Sequence, residues 1–226
     1  MLKGGSGNKC IIVSATEAEC APLLREMAEC TAISPNLYSG TLHGQPIELL
    51  ISGVGSVATT FRLTQTLMQR SYSRAISMGI AGSFTEYISI GETVQITEDC
   101  FADLGIDNNG QFLNLREAGL THDDWDGCFI ANPFPVSSPH LKVRGVTVQT
   151  ASGSQQRIGE LVGKFHPQVE TMENAAFFYV CQKMQLPFVS FRAISNKVEP
   201  RNRENWRTAE AVESVNDALI NLLQHL

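Results

Sequence analysis

Acidic or amide side chains stand at three places where an apolar strand hands over to a helix or a loop. In "ATEAEC", Glu17 and Glu19 follow the first apolar run. In "VETMEN", Glu170 and Glu173 precede a long apolar helix, and in "RAISNK", Ser195 and Asn196 end what reads as a buried strand. Carboxylates so placed can take a proton from water or stabilise positive charge growing on a substrate. An amide offers a hydrogen-bond donor and an acceptor side by side. Each stretch also has an ordinary structural explanation. Thr16 and Glu19 have the Thr-x-x-Glu spacing of a capping box, and Glu170 and Glu173 read as first-turn partners of a helix dipole. Those explanations cover each stretch alone, but not their shared position. In α/β sheets such junctions gather at one edge, where ligands bind.

The elements that must position these residues alternate. Strands are expected over 9–15, 75–79, 93–100, 143–148 and 188–194, with a strand pair over 37–42 and 47–52 turning at "HGQP". Helices are expected over 18–29, 57–70, 155–165, 174–184 and 208–223. The last is amphipathic through Ala211, Val212, Val215, Ala218, Leu219 and Leu222. "SGVGS" and "GIAGS" read as small-residue turns, and 101–142 as irregular. This order predicts an α/β fold, a three-layer α/β/α sandwich around a mixed, mostly parallel sheet. "SGVGSVA" also fits Gly-x-Gly-x-x-Ala, yet the acidic residue a dinucleotide site needs about 20 positions later is missing. A tight turn explains it better. "EPRNRENW" is either a solvated connection or a lid over the neighbouring strand end.

Composition narrows the function classes. The 226 residues, 43% of them hydrophobic, suit one domain over 9–226, with 1–8 read as a flexible leader or expression remnant. A net charge of −6 gives no footprint for nucleic acid or for an anionic membrane. No apolar run reaches the roughly 20 residues of a membrane helix, and no secretory signal precedes the first strand, so a cytoplasmic chain is expected. The six cysteines form no Cys-x-x-Cys and the five histidines no His-x-His or His-x-x-x-His. No metal site, disulfide framework or cofactor is expected.

"VSATEAE", "SGVGSVAT", "MGIAGSF", "ETMENAAFFYVC" and "FRAISNKVEPRNRENW" occur in that order. Together they resemble the purine nucleoside phosphorylase and nucleosidase superfamily, and within it the futalosine hydrolases of the futalosine route to menaquinone. Methylthioadenosine/S-adenosylhomocysteine nucleosidases are their relatives. The resemblance implies a nucleoside substrate, no cofactor and a homo-oligomer. It implies that Glu19 activates the attacking water, that Met172 packs under the ribose and that Glu173 accepts hydrogen bonds from the 2′ and 3′ hydroxyls. Val54, Ala81, Gly82 and Ser195 fall at substrate-binding positions, and Asn196 at the N7 edge of the purine. Arg203 is the expected partner of a carboxylate on the substrate, with Arg201, Lys197 and Arg62 as alternatives.

The chemistry suits these residue types. Cleavage of an N-glycosidic bond builds positive charge on the ribose, which nearby carboxylates stabilise. Adenine-specific members carry an aspartate where this chain has Asn196. The amide can face O6 and a protonated N7 together, whereas on adenine its NH₂ would meet another NH₂. Asn196 therefore points to hypoxanthine. Phosphorylases of the superfamily carry a phosphate-binding arginine where this chain has Ser77, which favours water as the nucleophile. "TASGSQQ" lacks the aromatic that stacks on the base in adenine-specific members, leaving Phe101 and Phe112 as candidates. The rival readings are a phosphorylase of inosine-like nucleosides, a methylthioadenosine-type nucleosidase and a non-catalytic nucleoside binder.

Overall fold

A computed structural model describes residues 9–121, 127–134 and 137–224; the expected leader over 1–8 lies outside the described residues. The apolar runs form strands β1 (Cys10–Ser14), β2 (Ala28–Ser34), β3 (Leu37–Leu42), β4 (Gln45–Ile51), β5 (Arg74–Ser83) and β6 (Thr93–Asp99). They continue with β7 (Gly105–Asn108), β8 (Gln111–Asn114), β9 (Ile130–Ala131), β10 (Leu141–Thr147), β11 (Val169–Thr171) and β12 (Phe188–Lys197). The helices are α1 (Glu17–Glu26), α2 (Ser56–Gln69), α3 (Gln155–Phe165), α4 (Asn174–Lys183) and α5 (Thr208–Gln224).

In the middle of the mixed sheet, β4, β1, β5 and β12 lie side by side and parallel, so their carboxyl ends share one edge. Antiparallel β3 and β2 extend one side, and β6, β10 and β11 the other. The sheet then curls until β11 also pairs with β5, Glu170 opposite Gly82. That closure carries the β11–α4 junction to the edge where β1 and β12 end.

Side chains alternate across the sheet, as the two-residue period of a strand requires. Ile11 and Val13 pack with Leu63 of α2 and with Phe177 and Phe178 of α4, while Cys10 and Ile12 pack with Leu23 of α1 and Val215 of α5. Helices on both faces make the α/β/α sandwich. No helix among the described residues is long and apolar enough to cross a membrane.

The structure departs from the expected elements in instructive places. α1 stops at Glu26 and β2 follows with every residue exposed, an edge strand without the buried alternation that marks strands in sequence. "GIAGS" is extended, not a turn, because its small residues leave room beside the strand. A Cβ at Gly82 would sit 2.7 Å from Val198 Cγ2. "SGVGS" is a turn, with φ of +82° at Gly53 and +90° at Gly55, a region that favours glycine. Within 101–142, β7 and β8 form a hairpin.

Helix α1 contains Pro22, which has no N–H and crowds the carbonyl one turn back. Asn216 of α5, wholly buried, repairs the neighbouring turn. Its Oδ1 accepts from Leu23 N at 3.0 Å, and its Nδ2 donates to Glu19 O at 2.8 Å and to Val212 O at 2.7 Å. One amide thereby locks the helix that carries Glu19 to the last helix. Asn216→Leu strands a buried donor and acceptor of α1, so urea denaturation should show a loss of about 2–4 kcal/mol.

Candidate active site

The shared strand edge opens into a cleft of about 220 Å³. Glu19, Glu173 and Asn196 reach its wall from three different junctions, and Val54, Ala81, Gly82, Met172 and Ser195 line it with them. Arg203 is left outside. It lies exposed in a 3₁₀ turn, Arg203–Asn205, whose first carbonyl accepts from Trp206 N. That turn directs Trp206 into the cleft wall, and the Arg201 guanidinium lies 5.8 Å from the centre of its ring. Arg201 is itself exposed and reaches the cleft only through this contact with Trp206. Lys197 points elsewhere, to the carbonyls of Thr85 and Ile88, and Arg62 is tied to Ser52 O at 2.9 Å.

Glu19 is the N3 residue of a complete capping box. Thr16 N donates to its Oε2 at 3.2 Å, and Glu19 N donates to Thr16 Oγ1 at 3.3 Å. Ser14 Oγ also donates to Oε2, at 3.4 Å. Both cap bonds thus hold in the structure and fix the carboxyl group by one oxygen. The other, Oε1, lies beside Gly79, 3.6 Å from where a Cβ would stand. The ordinary structural explanation and a place in the cleft hold together.

Glu173 precedes α4 without capping it. Its Oε1 accepts from Gly55 N at 2.8 Å, so the glycine turn at the start of α2 gives an N–H to a side chain from the β11–α4 junction. Ser56 Oγ donates to Met172 O at 3.2 Å and ties the same two elements a second time. Burial pushes the Glu173 carboxyl up; Gly55 N–H and the charge of Arg192 pull it back, while Glu19 raises it.

Asn196 owes its direction to a β-bulge. In the β12–β5 pairing Ile194 faces Ala81 and Asn196 faces Gly82, leaving Ser195 as the extra residue. The Asn196 Nδ2 donates to Lys197 O at 2.8 Å, and Ser195 Oγ donates to Asn196 Oδ1 at 2.7 Å. A carbonyl can only accept, so Lys197 O settles which end of the amide is NH₂. One N–H and one lone pair remain.

Beneath the cleft is a residue that the sequence reading passed over. Arg192, 3% exposed, donates through Nη2 to Ser77 Oγ at 2.9 Å and through Nη1 to Phe191 O at 2.8 Å and Ser190 Oγ at 3.2 Å. Ser77 therefore does not leave this spot without a cation, because β12 supplies one from the next strand. Burial works against the Arg192 charge, and Glu173, Glu19 and Asp99 support it. Arg192, Glu19 and Glu173 border a pocket of about 10 Å³ with Ser14, Ser77 and Gly79, on the order of one water molecule. Behind it, Ser190 Oγ donates to Asn174 Oδ1, and Asn174 Nδ2 donates to Asp99 Oδ2 at 2.8 Å. Asp99 is fully buried, and burial pushes its carboxyl up to about 7 against the bonds from Asn174 and Thr147. An arginine inside an apolar strand run was the only signal in sequence.

Neither candidate stacking residue lines the cleft. Phe112 packs on Phe165 with ring centres 6.3 Å apart, in a neighbouring groove, and Phe101 bridges to Thr147. Trp206 is the aromatic in the cleft wall. Among the described residues no group of His, Cys, Asp and Glu could hold a metal ion.

Comparison with known proteins agrees with this architecture. A futalosine hydrolase of Thermus thermophilus is 27% identical over 187 residues, covering 80% of this chain and 83% of that protein. A 5′-methylthioadenosine/S-adenosylhomocysteine nucleosidase of Anoxybacillus flavithermus is 27% identical over 199 residues, covering 82% and 84%. The crystal structure of the Neisseria meningitidis nucleosidase of that second name, in complex with methylthio-immucillin-A, shares the fold. Its TM-score is 0.81 at 18% identity, over 97% of this chain and 100% of that one. The family model described as the phosphorylase superfamily matches residues 9–226, and the chain belongs to that superfamily.

Proposed function

We propose that this chain is a purine nucleosidase that hydrolyses the N-glycosidic bond of futalosine and releases hypoxanthine, a step of the futalosine route to menaquinone in the cytoplasm. One observation carries the choice of base: at the position where a proton donor would serve adenine stands an amide, Asn196, held by Ser195 and Lys197. Its Nδ2 is free to donate to O6 and its Oδ1 to accept from a protonated N7. A purine turned the other way, or adenine, leaves a donor facing a donor.

The small pocket under the cleft supports water as nucleophile. A space of about 10 Å³ has no room for phosphate, although a cation borders it. In this reading Glu19 takes the proton of the attacking water through the oxygen that its cap leaves unused. Glu173 accepts from the ribose hydroxyls and opposes the positive charge that forms as the bond breaks. The charge of Arg192 opposes the burial that pushes the Glu173 carboxyl up. Met172 lies under the sugar and Trp206 over the opening, where Arg201 can meet a carboxylate on the far end of the substrate. Ala81 and Gly82 keep the floor flat, and Val54 closes the ribose end. An adenine nucleosidase, as in the Anoxybacillus relative, is the second reading, and the base released decides between them.

A homo-oligomer fits the same face. Val57, Phe61 and Met68 of α2 are 79%, 64% and 76% exposed, and this stripe continues from Val54 at the cleft. A second copy of the chain is the partner that would cover it. Sedimentation should show a dimer, and Phe61→Glu should shift it to monomer.

Glu19→Gln should separate the two roles of that side chain. Glutamine serves equally well at the third position of a capping box, so the melting temperature should hardly move. Turnover should fall by about 10²–10⁴-fold. A variant that melts early and keeps its kcat would leave only the cap. Asn196→Asp should shift preference from hypoxanthine towards adenine nucleosides, read as the ratio of kcat/KM on futalosine and aminodeoxyfutalosine. An unmoved ratio would remove Asn196 from base recognition.

A further inference from the structure

Glu170 has no part in the chemistry above, yet its carboxylate is buried, 8% exposed, and lines the cleft. The sheet sets its position. Glu170 is the partner of Gly82 on one side of β5, and Asn196 is the partner of Gly82 on the other. Two strand spacings, about 10 Å, separate their backbones, and both side chains face the same cleft. Gly82, which would crowd Asn196 Nδ2 at 3.3 Å if it carried a Cβ, leaves the floor between them open. Ser152 holds the carboxylate: its N donates to Oε1 at 2.9 Å and its Oγ donates to Oε2. Each oxygen keeps a further lone pair.

A flat bicyclic base whose N7 and O6 edge rested on Asn196 would lie across Gly82 and turn its next edge, N1, towards β11. We infer that Glu170 determines base specificity by accepting a hydrogen bond from N1–H of a 6-oxopurine, so that Asn196 and Glu170 read adjoining edges of one lactam base. The inference rests on the nucleosidase reading and sharpens its substrate class. Hypoxanthine carries a proton on N1. Adenine carries a lone pair there, which a carboxylate repels. Ser152 also serves this arrangement, because its two donors fix the carboxylate and occupy a backbone N–H that could otherwise have met the N1 lone pair of adenine. A buried polar group left without its partner accounts for discrimination of roughly 10- to 100-fold.

Equilibrium binding of the free bases tests this without requiring turnover of futalosine. Calorimetry on the unaltered protein should show hypoxanthine bound about 10- to 100-fold more tightly than adenine and than 1-methylhypoxanthine, which lacks the N1 proton. Glu170→Gln, whose amide can present NH₂ to N1, should collapse the hypoxanthine-to-adenine ratio by a similar factor. If Glu170→Gln weakens both bases equally, Glu170 only braces the Ser152 loop and the inference fails. Equal binding of hypoxanthine and 1-methylhypoxanthine to the unaltered protein overturns it even if the variant does not fold. Failure of the protein to bind any purine would take the nucleosidase reading down as well. Tight hypoxanthine binding without futalosine cleavage would leave Glu170 in place and remove only the proposed reaction.

Discussion

A guanidinium taken out of water is stable only if dipoles satisfy its protons and negative charge stands near it. Arg192 imposes that condition on the centre of this protein. Ser77 on the neighbouring β5 and Ser190 on Arg192's own strand β12 are its hydroxyl acceptors, and Asn174 and Asp99 extend the chain of bonds behind it. The carboxylates that support its charge include Glu19 and Glu173, which come from separate helix starts, and no direct ion pair joins them to Arg192 among the described residues. The attraction acts across the small pocket at the bottom of the cleft. A polar molecule seated there would touch a cation and two anions at once, which is the environment a water nucleophile needs while it loses a proton.

The strands around this charge are shaped by it. On β5, Arg192 and Glu19 come up to the same side of Gly79, each 3.6 Å from where a Cβ would stand, an ordinary contact distance. Farther along, Gly82 makes way for Asn196 and Val198. The glycine turn before α2 is recruited in the same way, its N–H bonded to Glu173. Glycine is used twice, once for a left-handed turn and once for close approach in an extended strand.

This double use explains what was legible in sequence. The alternation of apolar runs located every strand of the middle of the sheet and the five α-helices of the described residues, because burial on two faces leaves a strong pattern. It also located Glu19, Glu173 and Asn196, whose types are conspicuous at the ends of such runs. It missed β2, which buries nothing, and it read "GIAGS" as a turn because glycine looks the same in both uses. Arg192 escaped because its partners are hydroxyls and a carbonyl distant in sequence or too ordinary to notice. Glu170 and the segment ending at Trp206 stood out in sequence, but their places in the cleft wall depend on the closure of β11 onto β5 and on the 3₁₀ turn, both products of tertiary packing. Glu19 shows the limit of weighing alternatives: the cap and the cleft use different oxygens of one carboxylate, so neither excluded the other.

In the proposed reaction water, held over Arg192 and activated by Glu19, attacks the sugar. The most direct measurement is cleavage of futalosine in ¹⁸O-labelled water with excess phosphate, followed by mass spectrometry of both products. Attack by water gives unlabelled hypoxanthine, one heavy oxygen in the free sugar product at the carbon released from the base, and a rate indifferent to phosphate. An unlabelled sugar 1-phosphate, or cleavage that requires added phosphate, would contradict it.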